Sequence, residues 1–415
     1  MKYICVFFIS LLVVSCAGKG DTLPAGGNVS VETEKQDITA EAWRWADSLA
    51  SAMTEDQRIG QLFMPAVYAR ADAGSMRKVC HYAGDLGVGG IILLKGDLES
   101  TAEIADTLAA LTGAPAGGPG TFVAIDAETG LGMRLEDAPM FPWNSRLNPK
   151  AGEQTFYDYG REVARECGLA GVNMVLGPVI DVDRGGTERR GAMWLRSLGA
   201  DPERVAVMSV AYARGLESGG VVSVAKHFPG HGSTTVDTHR GMASISTTGE
   251  DLRRIDLYPF RLYVERGLSG VIVGHLWVEA VDSVKRPASF SPLVIEGLLR
   301  REMNFEGLVL TDALNMEGAC GFTAADALNA GADIVLAPAH TEREMRMVAE
   351  AVKTGKLSSS RVKQACRRVL FYKYLFGLPF RTRHGAGMSP ARLREEVEQG
   401  SGALMPLLDG RPAVR

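Results

Sequence analysis

The chain has 415 residues, of which 46% are hydrophobic and 23% are charged, and its formal net charge is -4. This composition excludes a disordered or fibrous protein and is sufficient for one large domain or two modest ones. Because no run of Lys or Arg stands out, nucleic acid is not an expected partner.

The N-terminus has the pattern of an exported lipoprotein. Lys2 is followed by an apolar run over residues 3–14, which is typical of a signal peptide and too short to span a bilayer. Residues 13–16, Val-Val-Ser-Cys, resemble a bacterial lipobox. We therefore expect a signal peptide at 1–15, a lipid on Cys16 and a location in the bacterial cell envelope. The alternative is an ordinary signal peptide in which Cys16 is incidental.

The segment after the signal peptide is polar, and residues 16–39 are predicted to be the lipidated cysteine and a flexible tether. Apolar residues at helical spacing then predict a helix over 42–58. A single catalytic domain is predicted over 40–380. Residues 381–415 are predicted to be a C-terminal tail with one short helical stretch near 390–399.

Short apolar runs alternate with helical patterns through the predicted domain. The runs predict strands at 61–68, 87–94, 121–126, 173–181, 221–226, 270–278, 307–312 and 332–337. Helices are predicted at 73–84, 100–111, 152–169, 202–218, 251–266, 291–301, 324–330, 341–354 and 360–376. Eight strands over about 300 residues predict an α/β fold, a closed (β/α)₈ barrel of the TIM type. A doubly wound open sheet is the alternative.

Four cysteines remain after the predicted lipidation site: Cys80, Cys167, Cys320 and Cys366. They are far apart and form no Cys-x-x-Cys motif, so a zinc site built on cysteine has no support. We expect single buried thiols, although cysteines of an envelope protein can also pair.

Polar residues occur where the predicted strands end, and in a parallel barrel these ends share one rim. They are Asp126, Glu128, Arg134, Asp181, Arg196, Lys226, His227, His231, Asp237, His239, His275 and Asp312. Glycoside hydrolysis needs a carboxylate on one side of the sugar and a proton donor on the other. Asp312 ends an apolar strand, which suits a fixed nucleophile.

His239 is the predicted acid–base group, because Asp237 lies two residues before it and a neighbouring carboxylate orients an imidazole and raises its proton affinity. Zinc bound by His227, His231 and His239 is an alternative, but no fourth ligand is spaced for it.

Residues 226–232, Lys-His-Phe-Pro-Gly-His-Gly, followed by Asp237 and His239, resemble the signature of glycoside hydrolase family 3. More specifically, they are similar to its β-N-acetylhexosaminidase branch. Residues 311–316, Thr-Asp-Ala-Leu-Asn-Met, resemble the nucleophile strand of the family. The segments 87–92, 177–182 and 195–199 resemble three further blocks, and the likeness covers residues 45 to 378.

The resemblance implies a retaining exo-glycosidase that removes terminal β-linked N-acetylglucosamine from peptidoglycan-derived or related oligosaccharides. Asp312 would form a glycosyl-enzyme, and His239 with Asp237 would protonate the leaving oxygen and then activate water. The sugar would be bound by Asp126, Arg134, Arg196, Lys226 and His227. No metal or organic cofactor is implied.

One motif departs from the family pattern. The family's third-strand motif reads Asp-Gln-Glu-Gly-Gly, whereas residues 126–130 here read Asp-Ala-Glu-Thr-Gly. Asp126 and Arg134 nevertheless keep their eight-residue separation. Three alternatives stay open: a β-N-acetylglucosaminide phosphorylase, a β-glucosidase and a non-catalytic sugar-binding lipoprotein.

Overall fold

The structure is a computed structural model that describes residues 27–185, 193–234, 243–245, 247–382 and 388–409. Contacts divide the chain into two units, Met1–Ala40 and Glu41–Arg415. The described part of the first unit belongs to helix α1 (Gly27–Ala52), which therefore begins inside the predicted tether at 16–39. Cys16, Asp237 and His239 lie outside the described residues, so the predictions for them stay predictions.

The second unit contains a closed barrel of parallel strands. In the described residues its strands are β1 (Phe63–Met64), β2 (Ala66–Ala69), β3 (Gly90–Gly96), β4 (Phe122–Ile125), β5 (Met174–Val175), β6 (Val222–Phe228), β8 (Gly270–Val273), β10 (Leu308–Thr311) and β11 (Val335–Leu336). The spatial order of the main sheet is β10-β8-β6-β5-β4-β3-β2.

Closure of the barrel depends on β1 and β11. β1 continues into β2 past Pro65 and pairs in parallel with β11. Ile334, next to β11, bridges Leu310 of β10, so the last strand position meets the first. The predicted (β/α)₈ barrel is therefore confirmed. A further parallel pair, β7 (Ala243–Ile245) and β9 (Leu276–Val278), is separate from the barrel sheet.

Helices separate most of the strands. The α-helices after α1 are α2 (Glu55–Gln61), α3 (Ala73–Cys80), α4 (Leu98–Thr112), α5 (Glu153–Ala170), α6 (Pro202–Ser218), α7 (Gly249–Asp251), α8 (Tyr258–Glu265), α9 (Ala324–Ala330), α10 (Thr341–Lys353), α11 (Ser359–Leu375) and α12 (Pro390–Leu408). π-helical segments are His81–Asp85, Leu252–Asp256 and Leu293–Glu302. Short 3₁₀ turns are Ala114–Ala116, Leu131–Met133, Asn144–Arg146, Ala288–Phe290, Glu317–Ala319 and Leu378–Phe380.

Local sequence signals explain where several helices begin. Asp201 accepts the amide of Glu203 and Pro202 occupies the first turn, so α6 begins where the sequence predicts. The helix predicted over 42–58 is interrupted, because α1 ends at Ala52 and Thr54 then forms a capping box with Gln57 at the start of α2.

α11 lies across the amino-terminal end of the barrel. Its Lys373 ammonium, which is fully buried, donates hydrogen bonds of 2.7 Å to Gln61 and to the carbonyl of Gly120, which precede β1 and β4. Its Arg368 pairs at 2.7 Å with Asp333, which precedes β11. The polar residues predicted at the strand ends therefore lie at the opposite, carboxyl-terminal end of the barrel.

α12 is longer than the short helix predicted near 390–399. Leu393, Val397 and Leu408 on this helix are buried, and the helix packs against α5 and α4. Ser401 donates a 2.5 Å hydrogen bond to the buried carboxyl group of Glu166 on α5. Position 381 as the start of a separate tail stays a prediction.

The stability of this contact should depend on pH. Burial raises the pKa of Glu166 from 4.5 to about 8, so the folded state holds an extra proton between these values. The protonated Glu166 side chain therefore contributes its full stabilisation of the folded state below pH 4.5, and this stabilisation is lost as pH rises to about 8. The melting temperature of Glu166→Gln minus that of the wild type should increase as pH rises from 5 to 8. An equal difference at both pH values would contradict this.

The cysteine prediction is half right. Cys167 and Cys366 are buried among apolar side chains, as expected, whereas Cys80 and Cys320 are exposed. Exposure of the last two is a correction, because their chain positions near the ends of surface elements place them in solvent. None of these four described cysteines is in a disulfide.

Candidate active site at the carboxyl-terminal rim

Asp126 follows β4 and accepts hydrogen bonds from two cations. Arg134 donates from Nη2 at 2.5 Å and Lys226 donates from Nζ at 2.8 Å. Burial raises the pKa of Asp126, but the nearby charges of Lys226 and Arg134 lower it by more. The pKa of Asp126 therefore lies below its usual value. The predicted pair of Asp126 and Arg134 is therefore brought together, and Lys226 joins it from β6.

Glu128 joins the same network of hydrogen-bonded rim residues as Asp126 and Lys226. No role for this residue was predicted from the sequence. Its Oε1 and Oε2 accept 2.6 and 2.8 Å hydrogen bonds from Arg196, and Oε1 lies 2.8 Å from Lys226 Nζ. Its side chain is only 2% exposed. Burial opposes ionisation of Glu128, but Arg196 and Lys226 hold its pKa well below the usual range. The available signal was its place between Asp126 and Arg134.

Lys226 and His227 are consecutive in β6, yet both contribute to this network. Side chains of a regular strand alternate between its faces. The register of β6 against β8 shifts between Ala225 and Phe228, where these two residues lie. Irregularities of this kind redirect side chains and are frequent beside active sites.

His227 connects the network to Asp181 of the β5 loop. Its Nδ1 lies 2.7 Å from Asp181 Oδ2, and its Nε2 lies 3.2 Å from Arg196 Nη2. Asp181 also accepts the backbone amides of His227 and His231, at 3.2 and 2.6 Å. Because its side chain is fully buried, Asp181 serves these internal groups and not solvent.

Asp312 directly follows β10 at the same rim. Its amide donates to Val273 at 2.9 Å, and its Oδ1 accepts the amide of Ala313 at 2.9 Å. Burial opposes ionisation, whereas His227 and the other polar groups around Asp312 favour it, and the net pKa lies below the usual range. Asp312 is therefore a positioned, ionised carboxylate, as a nucleophile requires.

Two further histidines of the rim have internal partners. His275 is fully buried, with Nδ1 2.7 Å from Ser289 Oγ and Nε2–H donating to the carbonyl of Ala313 at 3.1 Å. This places it behind the Asp312 turn as a support. His231 Nδ1 lies 2.5 Å from Thr234 Oγ1, and burial with the neighbouring His227 lowers the pKa of His231 to about 4.

The start of the loop after β6 is packed closely against the β5 loop. Arg184 donates its amide to the carbonyl of Gly232 at 3.0 Å. A Cβ placed on Gly232 would lie 1.7 Å from the carbonyl oxygen of Val182. Because the carbonyl of Val182 belongs to the backbone and cannot rotate away, a side chain at position 232 would require the loop to move.

Gly232→Ala is expected to reduce kcat by about 100-fold, because small displacements of catalytic groups have effects of this size. Steady-state hydrolysis checks this. Gly168→Ala is the control, since nothing lies within 4 Å of the added Cβ. Equal activity of the two variants would show that the loop tolerates the displacement.

The described residues contain no group of three or more His, Cys, Asp or Glu side chains arranged to hold a metal ion. His227 and His231, two of the three histidines of the zinc alternative, instead bond Asp181, Arg196 and Thr234. The third, His239, lies outside the described residues.

Comparison with known sequences and structures identifies the family of the chain. Residues 54–371 match the glycosyl hydrolase family 3 N-terminal domain. A β-hexosaminidase of Neisseria meningitidis serogroup C is 33% identical over 265 residues, which cover 61% of this chain and 72% of that protein.

Two solved structures are also similar. A family 3 β-N-acetylglucosaminidase from Paenibacillus sp. is 28% identical with a TM-score of 0.66, over 84% of this chain and 69% of that one. The β-glucoside phosphorylase BglX has a TM-score of 0.79 over 88% of this chain and 66% of that one, and at 21% identity this likeness concerns the fold alone. The chain therefore belongs to glycosyl hydrolase family 3 and is a glycoside hydrolase.

Proposed function

We propose that the chain is a retaining, exo-acting β-N-acetylhexosaminidase that removes terminal β-linked N-acetylglucosamine. The observation that carries this proposal is Asp312, fixed by the amide of Ala313, at the same barrel rim as the connected set of Asp126, Lys226 and His227. The similarity to a β-hexosaminidase and to a β-N-acetylglucosaminidase supports the choice of sugar.

In the proposed reaction, Asp312 attacks the anomeric carbon, the bond to the leaving oxygen breaks, and a glycosyl-enzyme ester forms. His239, paired with Asp237, donates a proton to that oxygen. The same imidazole then takes a proton from water, whose oxygen attacks the anomeric carbon and releases Asp312. The roles of His239 and Asp237 are proposed from the sequence.

The rim network suits a polar, uncharged ligand. Sugar hydroxyls both donate and accept hydrogen bonds, and Asp126, Arg134, Arg196, Lys226 and His227 together offer both kinds of partner. Because the cations are held by Asp126 and Glu128, little side-chain ordering remains for the sugar to impose. We propose that these groups bind the terminal sugar.

We further propose that the substrate is peptidoglycan-derived or a related oligosaccharide, and that the enzyme is held in the cell envelope by a lipid on Cys16. The apolar run before the Val-Val-Ser-Cys sequence supports this. None of the helices in the described ranges is long and apolar enough to cross a membrane. Membrane fractionation of the full chain and Cys16→Ser tests the anchor, and release of the variant only is expected.

The activity is tested by hydrolysis of p-nitrophenyl β-N-acetylglucosaminide beside the β-glucoside, each with and without phosphate. Hydrolysis of the N-acetyl substrate without phosphate is expected. Preference for the glucoside would overturn the sugar, and a sugar phosphate as product would indicate phosphorolysis. N-acetylglucosamine binding without turnover would favour a sugar-binding protein.

A further inference from the structure

A continuous chain of hydrogen bonds and ion pairs joins seven residues of the rim. From Asp181 it passes through His227 and Arg196 to Glu128, and from there through Lys226 and Asp126 to Arg134. Each of these contacts between side chains is 3.2 Å or shorter. The end of this chain at Asp181 is fully buried and cannot reach a sugar itself.

The two contacts of the His227 ring define its tautomer. Arg196 carries only N–H donors, so His227 Nε2, at 3.2 Å from Arg196 Nη2, must be the acceptor. Asp181 already accepts backbone amides with its carboxylate, so His227 Nδ1, at 2.7 Å, is the donor. Both neighbours therefore require the proton on Nδ1.

We infer that Asp181 is a positioning residue that holds His227 in its Nδ1–H tautomer and thereby keeps Arg196 in its place in the sugar-binding set. The role is indirect, because Asp181 acts through His227 and does not touch the substrate. That the set binds a sugar rests on the proposed function, whereas the tautomer and its dependence on Asp181 do not.

Loss of Asp181 has a defined consequence. Without its carboxylate, only the 3.2 Å contact with Arg196 favours the proton on Nδ1, and the tautomer with the proton on Nε2 becomes accessible. In that form an N–H of His227 faces an N–H of Arg196 across 3.2 Å, so one of them must turn away. A group that contributes to binding is then misplaced, although each sugar-binding residue is still present.

The tautomer can be measured directly by long-range ¹H–¹⁵N correlation spectra of the imidazoles in the full chain, with His227→Gln used to assign the signals. The wild type should show His227 protonated on Nδ1 alone. Asp181→Ala should shift the pattern toward Nε2–H. Asp181→Asn should do the same, because the backbone amide of His231 requires the amide oxygen at the Oδ1 position and the amide nitrogen then donates to Nδ1. Protonation of Nε2 in the wild type would overturn the inference.

Kinetics supply the second readout. Asp181→Ala should raise KM by about 10- to 100-fold, the range found when the outer hydrogen-bond partner of a metal-bound histidine is removed, with a smaller effect on kcat. Asp181→Asn should also raise KM, because its amide nitrogen donates to Nδ1 and the proton is then placed on Nε2. Asp183→Asn is the control, since Asp183 accepts the amide of Gly185 by its side chain at 3.0 Å and makes no side-chain contact with His227.

The outcomes separate the two proposals. No activity of the wild type on the N-acetyl substrate, with the expected tautomer and its loss in Asp181→Ala, would overturn the proposed function and leave the positioning role. Activity on that substrate with a tautomer that Asp181→Ala does not change would do the opposite. A KM of Asp181→Asn equal to that of the wild type would also overturn the inference.

Discussion

Asp312→Asn is expected to reduce kcat/KM by on the order of 10⁴-fold, a loss typical of removing a covalent nucleophile. The amide has nearly the shape of the carboxylate, and its oxygen can still accept the amide hydrogen of Ala313, now 2.9 Å from Oδ1. It has no negative charge with which to attack the anomeric carbon. Steady-state hydrolysis measures the effect, and the melting temperature should change little.

The control for this variant is Glu317→Gln, which neutralises an exposed carboxylate five residues further along the same loop. Its activity should equal that of the wild type. A separate test is Asp312→Ala with added azide, because a small anion that enters the vacated space can replace a missing nucleophile. Asp312→Asn retaining a tenth or more of the activity would place the nucleophile elsewhere.

The barrel and its rim were predictable because they depend on local patterns. Each strand is a short apolar run, and the helices between them carry their own start signals, such as Asp201 followed by Pro202 at α6. Once eight parallel strands are assigned, the position of Asp126, Lys226 and Asp312 at one rim follows from topology. All three lie there in the structure.

The connections within the rim were not predictable in the same way. The role of Glu128 depends on Arg196, which is 68 residues away on another loop. The common environment of Lys226 and His227 depends on an irregular strand register that no periodicity reveals. Side chains whose function comes from distant partners leave no pattern of their own in a single sequence.

The predictions of cysteine exposure and of the end of α12 failed for a related reason. Cys80 and Cys320 follow apolar or helical sequence, yet their local position exposes them. α12 continues to Leu408 because α5 and α4 offer it a surface to pack on. Tertiary packing thus extends a helix that its own sequence only begins.

Glu128→Ala tests whether the carboxylate of Glu128 holds Arg196 and Lys226 in place. Removing one partner of a buried ion pair typically costs about 3 to 5 kcal/mol, because the remaining charges stay buried without compensation. Here Arg196 and Lys226 would lose the carboxylate that they share. We expect the free energy of unfolding, measured by urea denaturation, to fall by about this amount, and KM to rise because both cations can then move.

Glu136→Ala is the matched control, because Glu136 is an exposed carboxylate on the same loop. It should leave both the free energy of unfolding and KM unchanged. Glu128→Gln keeps the length of the side chain but directs amide hydrogens at one of the cations, so it should also raise KM. If Glu128→Ala behaved like Glu136→Ala, the positions of Arg196 and Lys226 would not depend on the carboxylate of Glu128.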